Sequence, residues 1–347
     1  MDWNNVKVLV TGGGGFLGKA LVGKLLGLGA DVAVFSRGEY PELLERGVEM
    51  FRGDIRDSAS LSAACAGRDV VFNVAAKAGL WGPRDEFMSV NAGGARNVVS
   101  CCLENGVPFL VHTSSPSVVF SREDISFGDE SLPYPSSYPA AYPASKAEAE
   151  RIVSAAASDG LRTVSLRPHL LWGVGDPHIL PRLASKSVAG KLRQVGGGGN
   201  VVDLTHVENA AEAHLKAASA LESAAAVSGK VYFVTDGSPV NLWDWIRDFL
   251  SRSGLPPPRG RVPLGLATAS GKTLEAVYRF LGISSEPPLT AFAASQLGTS
   301  HYFDISAARR DLGYNPVVDQ EKALDEASEW IRKRFASVAR GKFEDRK

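Results

Sequence analysis

Thr11-Gly-Gly-Gly-Gly-Phe-Leu-Gly18 follows the apolar run Val6-Lys-Val-Leu-Val10 and opens the helical pattern Phe16-Leu-Gly-Lys-Ala-Leu-Val-Gly-Lys-Leu-Leu26. Gly12, Gly15 and Gly18 fall three residues apart. That spacing lets a chain turn tightly, bring backbone N–H groups to a pyrophosphate, and pack a helix close to its strand. The strand before and the helix after give the glycine pattern its meaning. Gly12, Gly15, Phe16, Leu17 and Gly18 are therefore the expected pyrophosphate contacts.

Outward from this loop, short β-branched runs alternate with helical patterns: ADVAVFS, LSAACAG, DVVFNVAA, VNAGGARNVVSCCLENG and VPFLVHTSS. After a Pro-rich interval come a helix from Pro143 and the strand-like LRTVSLRP. Strands that are apolar throughout and separated by helices are what a parallel sheet covered on both faces demands. The expected class is α/β, a Rossmann-type doubly wound parallel sheet with a smaller, discontinuous C-terminal substrate lobe. Residues 1–170 and 205–236 are assigned to the nucleotide-binding domain, 171–204 and 237–335 to the lobe, and 336–347 to a charged tail.

The chain has 347 residues with 38 basic and 38 acidic side chains, so no charge excess argues for a nucleic-acid partner. Three cysteines, two of them adjacent at Cys101 and Cys102, have neither disulfide-framework nor metal-ligand spacing. No metal is expected. The first residues lack a basic leader and an apolar signal core, so a cytoplasmic setting is the expectation. The apolar segment Val262 to Ile283 is broken by Gly265, Gly271, Lys272 and Glu275, short of a clean membrane span. Leu264 to Leu281 is read either as lying peripherally on a membrane or as capping an acyl chain.

Further motifs carry chemistry. At the end of the second strand, VFSRGEY places Ser36 and Arg37 where a carboxylate would accept ribose hydroxyls. A guanidinium and a hydroxyl there favour a 2′-phosphate, hence NADP(H), with NAD(H) the alternative. Asp54 and Ile55 end a third strand, in position to meet the adenine. In PYPSSYPAAYPASK, only the third Tyr-Pro pair has a lysine four residues on, joining Tyr142 to Lys146 on one helix face. This is a proton-transfer pair; bringing such a phenol to neutral pH takes about 4 kcal/mol of preferential phenolate stabilisation. Ser114 and Ser115 emerge at a strand end, where either could orient a substrate oxygen or simply cap a turn. In AAKAGLWG, Ala75 and Ala76 let backbone approach the cofactor. Lys77 next to them is read as a cofactor-side residue that could pair with a substrate carboxylate, with Leu80 and Trp81 as apolar walls, against the favoured plain account of a solvated lysine beside a packing tryptophan. His169, Arg182 and His206 are loop-region polar groups, favoured as packing or surface residues over substrate contacts.

These residues in this order resemble the extended short-chain dehydrogenase/reductase family: Thr11 to Gly18, Asp54-Ile55, the TSS segment and Tyr142-Pro-Ala-Ser-Lys146. LRPHLLWGVGD, VDLTHVENAAEAH and HYFDISAARRDLGYNP are most similar to its 3β-hydroxysteroid dehydrogenase branch. The resemblance implies Tyr142 as general acid-base, Lys146 on the nicotinamide ribose, Ser115 as the carbonyl-orienting hydroxyl and Pro168 in the loop lining the nicotinamide. Within the branch, SRGEYPEL, AAKAGLWG and TSSPSVVF look more like bacterial 2-alkyl-3-oxoalkanoate reductases than like sterol-4α-carboxylate 3-dehydrogenases. The expected substrate is a hydrophobic β-keto or β-hydroxy acid, or a sterol in the alternative. A nucleotide-sensing regulator without turnover is disfavoured because both Tyr142 and Lys146 are present, and a homodimer through sheet-flanking helices is implied as common in the family.

Overall fold

In β1 (Lys7–Thr11) of the computed structural model, Val8, Leu9 and Val10 are all fully buried, although they alternate between the two faces of the strand. Only a sheet covered on both sides buries such a run. The backbone is described for residues 1–344 and side chains for 1–335, so the side chains of the tail expected at 336–347 lie outside the described residues.

Further strands follow: β2 (Asp31–Ser36), β3 (Glu49–Arg52), β4 (Val70–Asn73), β5 (Phe109–Thr113), β6 (Ile125–Gly128), β7 (Arg162–Pro168) and β8 (Leu171–Trp172). After these come β9 (Gln194–Val195), β10 (Val201–Val202), β11 (Thr205–His206), β12 (Lys230–Val234), β13 (Val240–Asn241), β14 (Arg261–Val262) and β15 (His301–Phe303). The central sheet runs β12-β7-β5-β4-β1-β2-β3, every pair parallel. Strand order reverses between β1 and β4. The two chain paths leave the sheet in opposite directions there, opening a crevice at the carboxyl ends.

The alternation of β1 divides the core. Val8 and Val10 face Leu21 and Leu25 of the helix Phe16–Gly27 and the alanine-rich helix Val207–Ser223. Leu9 faces the other way, toward the helices Ser58–Cys65, Gly94–Glu104 and Ala141–Ala155. A third core, with Trp172, Leu180, Trp243, Ile246, Phe249 and Ile331, lies in the C-terminal part. There a four-stranded sheet runs β13-β10-β15-β6, so a strand from the first half of the chain joins strands from the second. Phe303, Ile305, Ala308, Leu312 and Tyr314 return to the core beneath β1, where the Tyr314 hydroxyl donates to Thr235 O at 2.9 Å.

Two boundaries differ from the sequence reading. The helix expected from Pro143 begins at Ala141, because the first turn leaves its N–H groups unpaired and loses nothing at a proline. Strand β3 stops at Arg52, so Asp54 and Ile55 lie in the turn beyond it. No helix among the described residues is long and apolar enough to cross a membrane.

Candidate active site

The glycine loop joins β1 to the helix Phe16–Gly27 at the crevice, and each glycine there has a steric reason. A Cβ on Gly18 would stand 2.3 Å from Gly12 O, and one on Gly12, where φ is +70°, would stand 2.9 Å from Ala75 Cα. Gly12 N donates to Phe35 O at 2.8 Å, folding the loop onto β2. Gly15 occupies the N-cap of the helix with no side-chain cap. The first-turn N–H groups and the positive end of the dipole are thus left for an anion. A pyrophosphate fits this cradle; Phe16, Leu17 and Gly18 supply the turn that would face it.

At the end of β2, Ser36 is buried and donates to Gly38 O at 3.2 Å, while Arg37 is exposed. The nearby acid Glu39 is already held by Arg52 at 2.8 Å. Asp54 is forked by Arg56, with contacts of 2.9 and 2.7 Å, and this partner first of all draws its carboxyl down to about 2. The turn at Asp54 and Ile55 is therefore fixed by a local ion pair as well as by the burial of Ile55.

Tyr142 and Lys146 share the inward face of the helix Ala141–Ala155. The Lys146 ammonium, 3% exposed, donates to Thr113 O at the end of β5. Burial lowers it to about 8, and the charge of Glu150 opposes that fall. Burial raises the Tyr142 phenol, with the neighbouring Ser115 hydroxyl acting the other way. Ser115 also caps the short turn Pro116–Val119, accepting from Ser117 N at 3.2 Å and Ser117 Oγ at 3.0 Å. The turn-capping account of Ser115 thus holds, and its hydroxyl also stands beside the Tyr142 phenol. Ser114 is buried, and its hydroxyl has no hydrogen-bond partner among the described residues.

One turn past Lys146, the helix carries Glu150 with no exposure, a residue the sequence reading passed over although it continues the Tyr142, Lys146 spacing. Arg167 of β7 meets it through Nε at 3.0 Å and Nη2 at 2.6 Å, and the Tyr134 hydroxyl donates to it at 2.6 Å. Burial raises Glu150, but its partners, Arg167 first, bring it below the ordinary carboxylate value. The pair fastens the Tyr142 helix to the strand that ends in Pro168.

A second polar chain crosses the strand ends beneath the crevice. Thr11 Oγ1 donates to Asn73 Oδ1 at 2.8 Å and accepts from Ala75 N at 3.2 Å. Asn73 Nδ2 lies 3.1 Å from His112 Nδ1, and His112 is kept neutral by burial and then by the charge of Lys146. These bonds hold Ala75 against the glycine loop, with Ala76 next along the chain.

Lys77 follows, and its backbone is clamped by the buried Asn91: Lys77 N donates to Asn91 Oδ1 at 2.7 Å, and Asn91 Nδ2 donates to Lys77 O at 3.1 Å. Asn91 Nδ2 also reaches Ser145 Oγ at 2.8 Å, and Ser145 Oγ donates to Tyr142 O at 2.8 Å. Asn91 lies in a π-helical turn, Met88–Gly93, of the kind found at functional sites. Nothing in its sequence spacing marked it. The Lys77 ammonium sits 5.1 Å over the Phe87 ring and pairs with Glu86 at 2.9 Å. Phe87 in turn meets the Tyr142 ring edge-on at 6.5 Å. Trp81 leaves this loop to touch Tyr278 at 6.2 Å, edge-on, under the Arg279 guanidinium at 5.3 Å.

Three polar residues weighed as substrate contacts have other partners. His169 Nε2 lies 2.7 Å from His301 Nδ1, Arg182 pairs with Glu286 at 2.8 Å, and His206 caps the helix Val207–Ser223.

The family model described as the 3-beta hydroxysteroid dehydrogenase/isomerase family matches residues 9–264. The chain is 44% identical over 323 residues to a protein of Shewanella oneidensis named 2-alkyl-3-oxoalkanoate reductase, covering 91% of this chain and 84% of that protein. A protein of Stenotrophomonas maltophilia with the same name is 42% identical, covering 92% of this chain and 97% of its own length. Among solved structures, that titled crystal structure of gox2253 matches with a TM-score of 0.76 and 25% identity, over 95% of this chain and 99% of the other.

Proposed function

The chain belongs to the 3-beta hydroxysteroid dehydrogenase/isomerase family, and from that premise we propose that it reduces 2-alkyl-3-oxo acids to 2-alkyl-3-hydroxy acids with NADPH. It is a dehydrogenase/reductase acting on hydroxyl and keto groups. One observation carries the site assignment: Tyr142 and Lys146 share the inward face of one helix, with Lys146 buried on Thr113 O at the end of β5 and Ser115 beside Tyr142.

The nicotinamide supplies or accepts the hydride. The chain's own residues manage the oxygen and its proton. Ser115 and Tyr142 donate to the substrate carbonyl oxygen, and Tyr142 gives up its proton as negative charge develops there. Lys146, held on Thr113 O, stabilises the phenolate that remains. Burial alone leaves Tyr142 a weak acid, so the cation beside it is the element that makes proton transfer feasible near neutrality. Gly12, Gly15, Phe16, Leu17 and Gly18 would hold the pyrophosphate, Ala75, Ala76 and Pro168 would line the cofactor, and Asp54 with Ile55 would border the adenine. Exposed Arg37 beside Ser36, with Glu39 neutralised by Arg52, favours a 2′-phosphate over bare ribose hydroxyls. We read 171–204 and 237–335 as the lobe that receives the hydrocarbon, with Leu80, Trp81 and Tyr278 along its wall.

A second reading, oxidation of a 3β-hydroxysteroid or a sterol 4-carboxylate, is favoured by the description of the matching family itself. Steady-state kinetics with both dinucleotides against a 2-alkyl-3-hydroxy acid and a 4-carboxysterol separates the two. Activity only with the sterol would overturn the first reading. Tyr142→Phe should bind dinucleotide normally while turnover falls at least about a hundredfold; a variant keeping most of its rate would remove Tyr142 from the mechanism.

A further inference from the structure

The Lys77, Glu86 and Phe87 cluster is a charged site at the edge of the proton-transfer pair that the oxygen chemistry does not use. Lys77 is fixed at its root, while its tip is held by the Glu86 ion pair and the Phe87 ring. Its backbone N–H and C=O are both held by Asn91, which is bonded through Ser145 to the carbonyl of Tyr142. A Cβ on Gly82, where φ is +138°, would come within 3.8 Å of Lys77 Cε and 3.3 Å of the Phe87 ring, so the loop folds back against the lysine stem. The ammonium lies over one face region of Phe87 and that same ring meets Tyr142 edge-on. The cation is thus one aromatic ring away from the phenol.

Its counter-ion is of a different character. Glu86 has a half-exposed carboxylate whose only ion-pair partner among the described residues is Lys77. A pair at this exposure is weak and easily exchanged. We propose that Glu86 is a resident competitor for the substrate carboxylate: it neutralises Lys77 when the site is empty of acid, and the β-placed carboxylate of the substrate takes its place on the ammonium. The exchange keeps the ammonium paired throughout, and the displaced Glu86 carboxylate, already half-exposed, turns out to solvent with its charge. Lys77 selects for acids because an ester or an uncharged ketone gains nothing from the ammonium, and Glu86 tempers that preference because only the acid has to displace it. This inference rests on the reading of the substrate as a β-oxo or β-hydroxy acid and deepens it by naming what sets acid preference.

The test measures kcat/KM, in the oxidative direction, for a 2-alkyl-3-hydroxy acid and its methyl ester, with NADP⁺. Working from the hydroxy side avoids loss of carbon dioxide from the oxo acid. Glu86→Gln should raise the acid-to-ester ratio of kcat/KM by about three- to fivefold, through KM for the acid. Lys77→Met should lower that ratio by at least about tenfold, and adding Glu86→Gln to Lys77→Met should change it no further. A ratio unmoved by Glu86→Gln, or a Glu86→Gln effect that survives in the Lys77→Met background, overturns the inference while leaving the reductase reading intact. Wild-type protein that oxidises only an uncharged steroid, and neither acid, overturns both.

Discussion

Removing the charge of Glu150 should cost this protein more stability than almost any other single substitution near the site. Glu150→Gln keeps the shape and leaves Arg167, 2% exposed, with a buried guanidinium and no carboxylate. Breaking a buried pair from one side costs about 3–5 kcal/mol. At roughly 2–4 °C for each kcal/mol, the thermal midpoint should fall by about 6–20 °C. The double variant Glu150→Leu with Arg167→Met removes both charges and should recover most of that loss, because the pair's own net worth is small once its desolvation is counted. Differential scanning calorimetry on the wild type and the two variants gives the numbers. A second readout separates electrostatics from packing: Lys146 lies near 8, and Glu150 raises it. In Glu150→Gln the ammonium should lose its proton at lower pH, so the alkaline limb of kcat should move toward neutrality. A midpoint within about 2 °C of wild type, or a double variant no more stable than the single one, would refute the uncompensated-charge argument.

Gly18→Ala places a Cβ against backbone at Gly12 O and Gly13, which cannot swing away, so dinucleotide affinity by fluorescence titration should fall by more than about tenfold. Gly15→Ala, meeting only Gly12 O at 3.2 Å, should be much milder. Asn91→Leu cuts the link from Lys77 to Ser145; kcat/KM should drop by about ten- to a hundredfold with secondary structure by circular dichroism retained. Asp203 accepts from Phe303 N at 2.7 Å through one oxygen, has no partner for the other among the described residues, and is raised to about 7, by burial first. Since its folded value lies above its unfolded one near 4, its contribution is present below about pH 4 and lost as pH rises through 7. Urea unfolding of Asp203→Asn across that window should therefore show wild type losing stability relative to the variant; parallel curves would contradict the assignment.

The sheet and the dinucleotide cradle were legible because their signals are local. Thr11 to Gly18 needs only its own strand and helix, and the fully apolar β1 announces a two-sided sheet. Tyr142 and Lys146 are neighbours on one helix, so spacing alone joined them. Glu150 carried the same signal one turn on and went unread; its partner Arg167 lies 17 residues away on another element, where spacing has no meaning. Glu86 was hidden in the same manner. Lys77 is read in the sequence against a substrate carboxylate, and a loop charge there does not disclose that Glu86 of the same chain already holds it. The union of β6 with β15 joins Ile125 to His301, and no local pattern in either short strand specifies that register.

His169 directly follows Pro168, and its ring is bonded, inside the protein, to His301 on the strand β15. Both rings are buried, and burial first of all keeps each uncharged, so their link cannot be opened without exposing two imidazoles at once. On the opposite rim, Trp81 reaches Ile283 O through one bond of 3.4 Å, from a half-buried position. The C-terminal part is thus joined to the segment after Pro168 by a buried histidine pair, and to the Trp81 loop by contacts nearer the surface. Freeing Trp81 from Tyr278, Arg279 and Ile283 bares one half-buried ring, whereas parting the histidines bares two uncharged imidazoles, so separation of the C-terminal part would begin at the tryptophan.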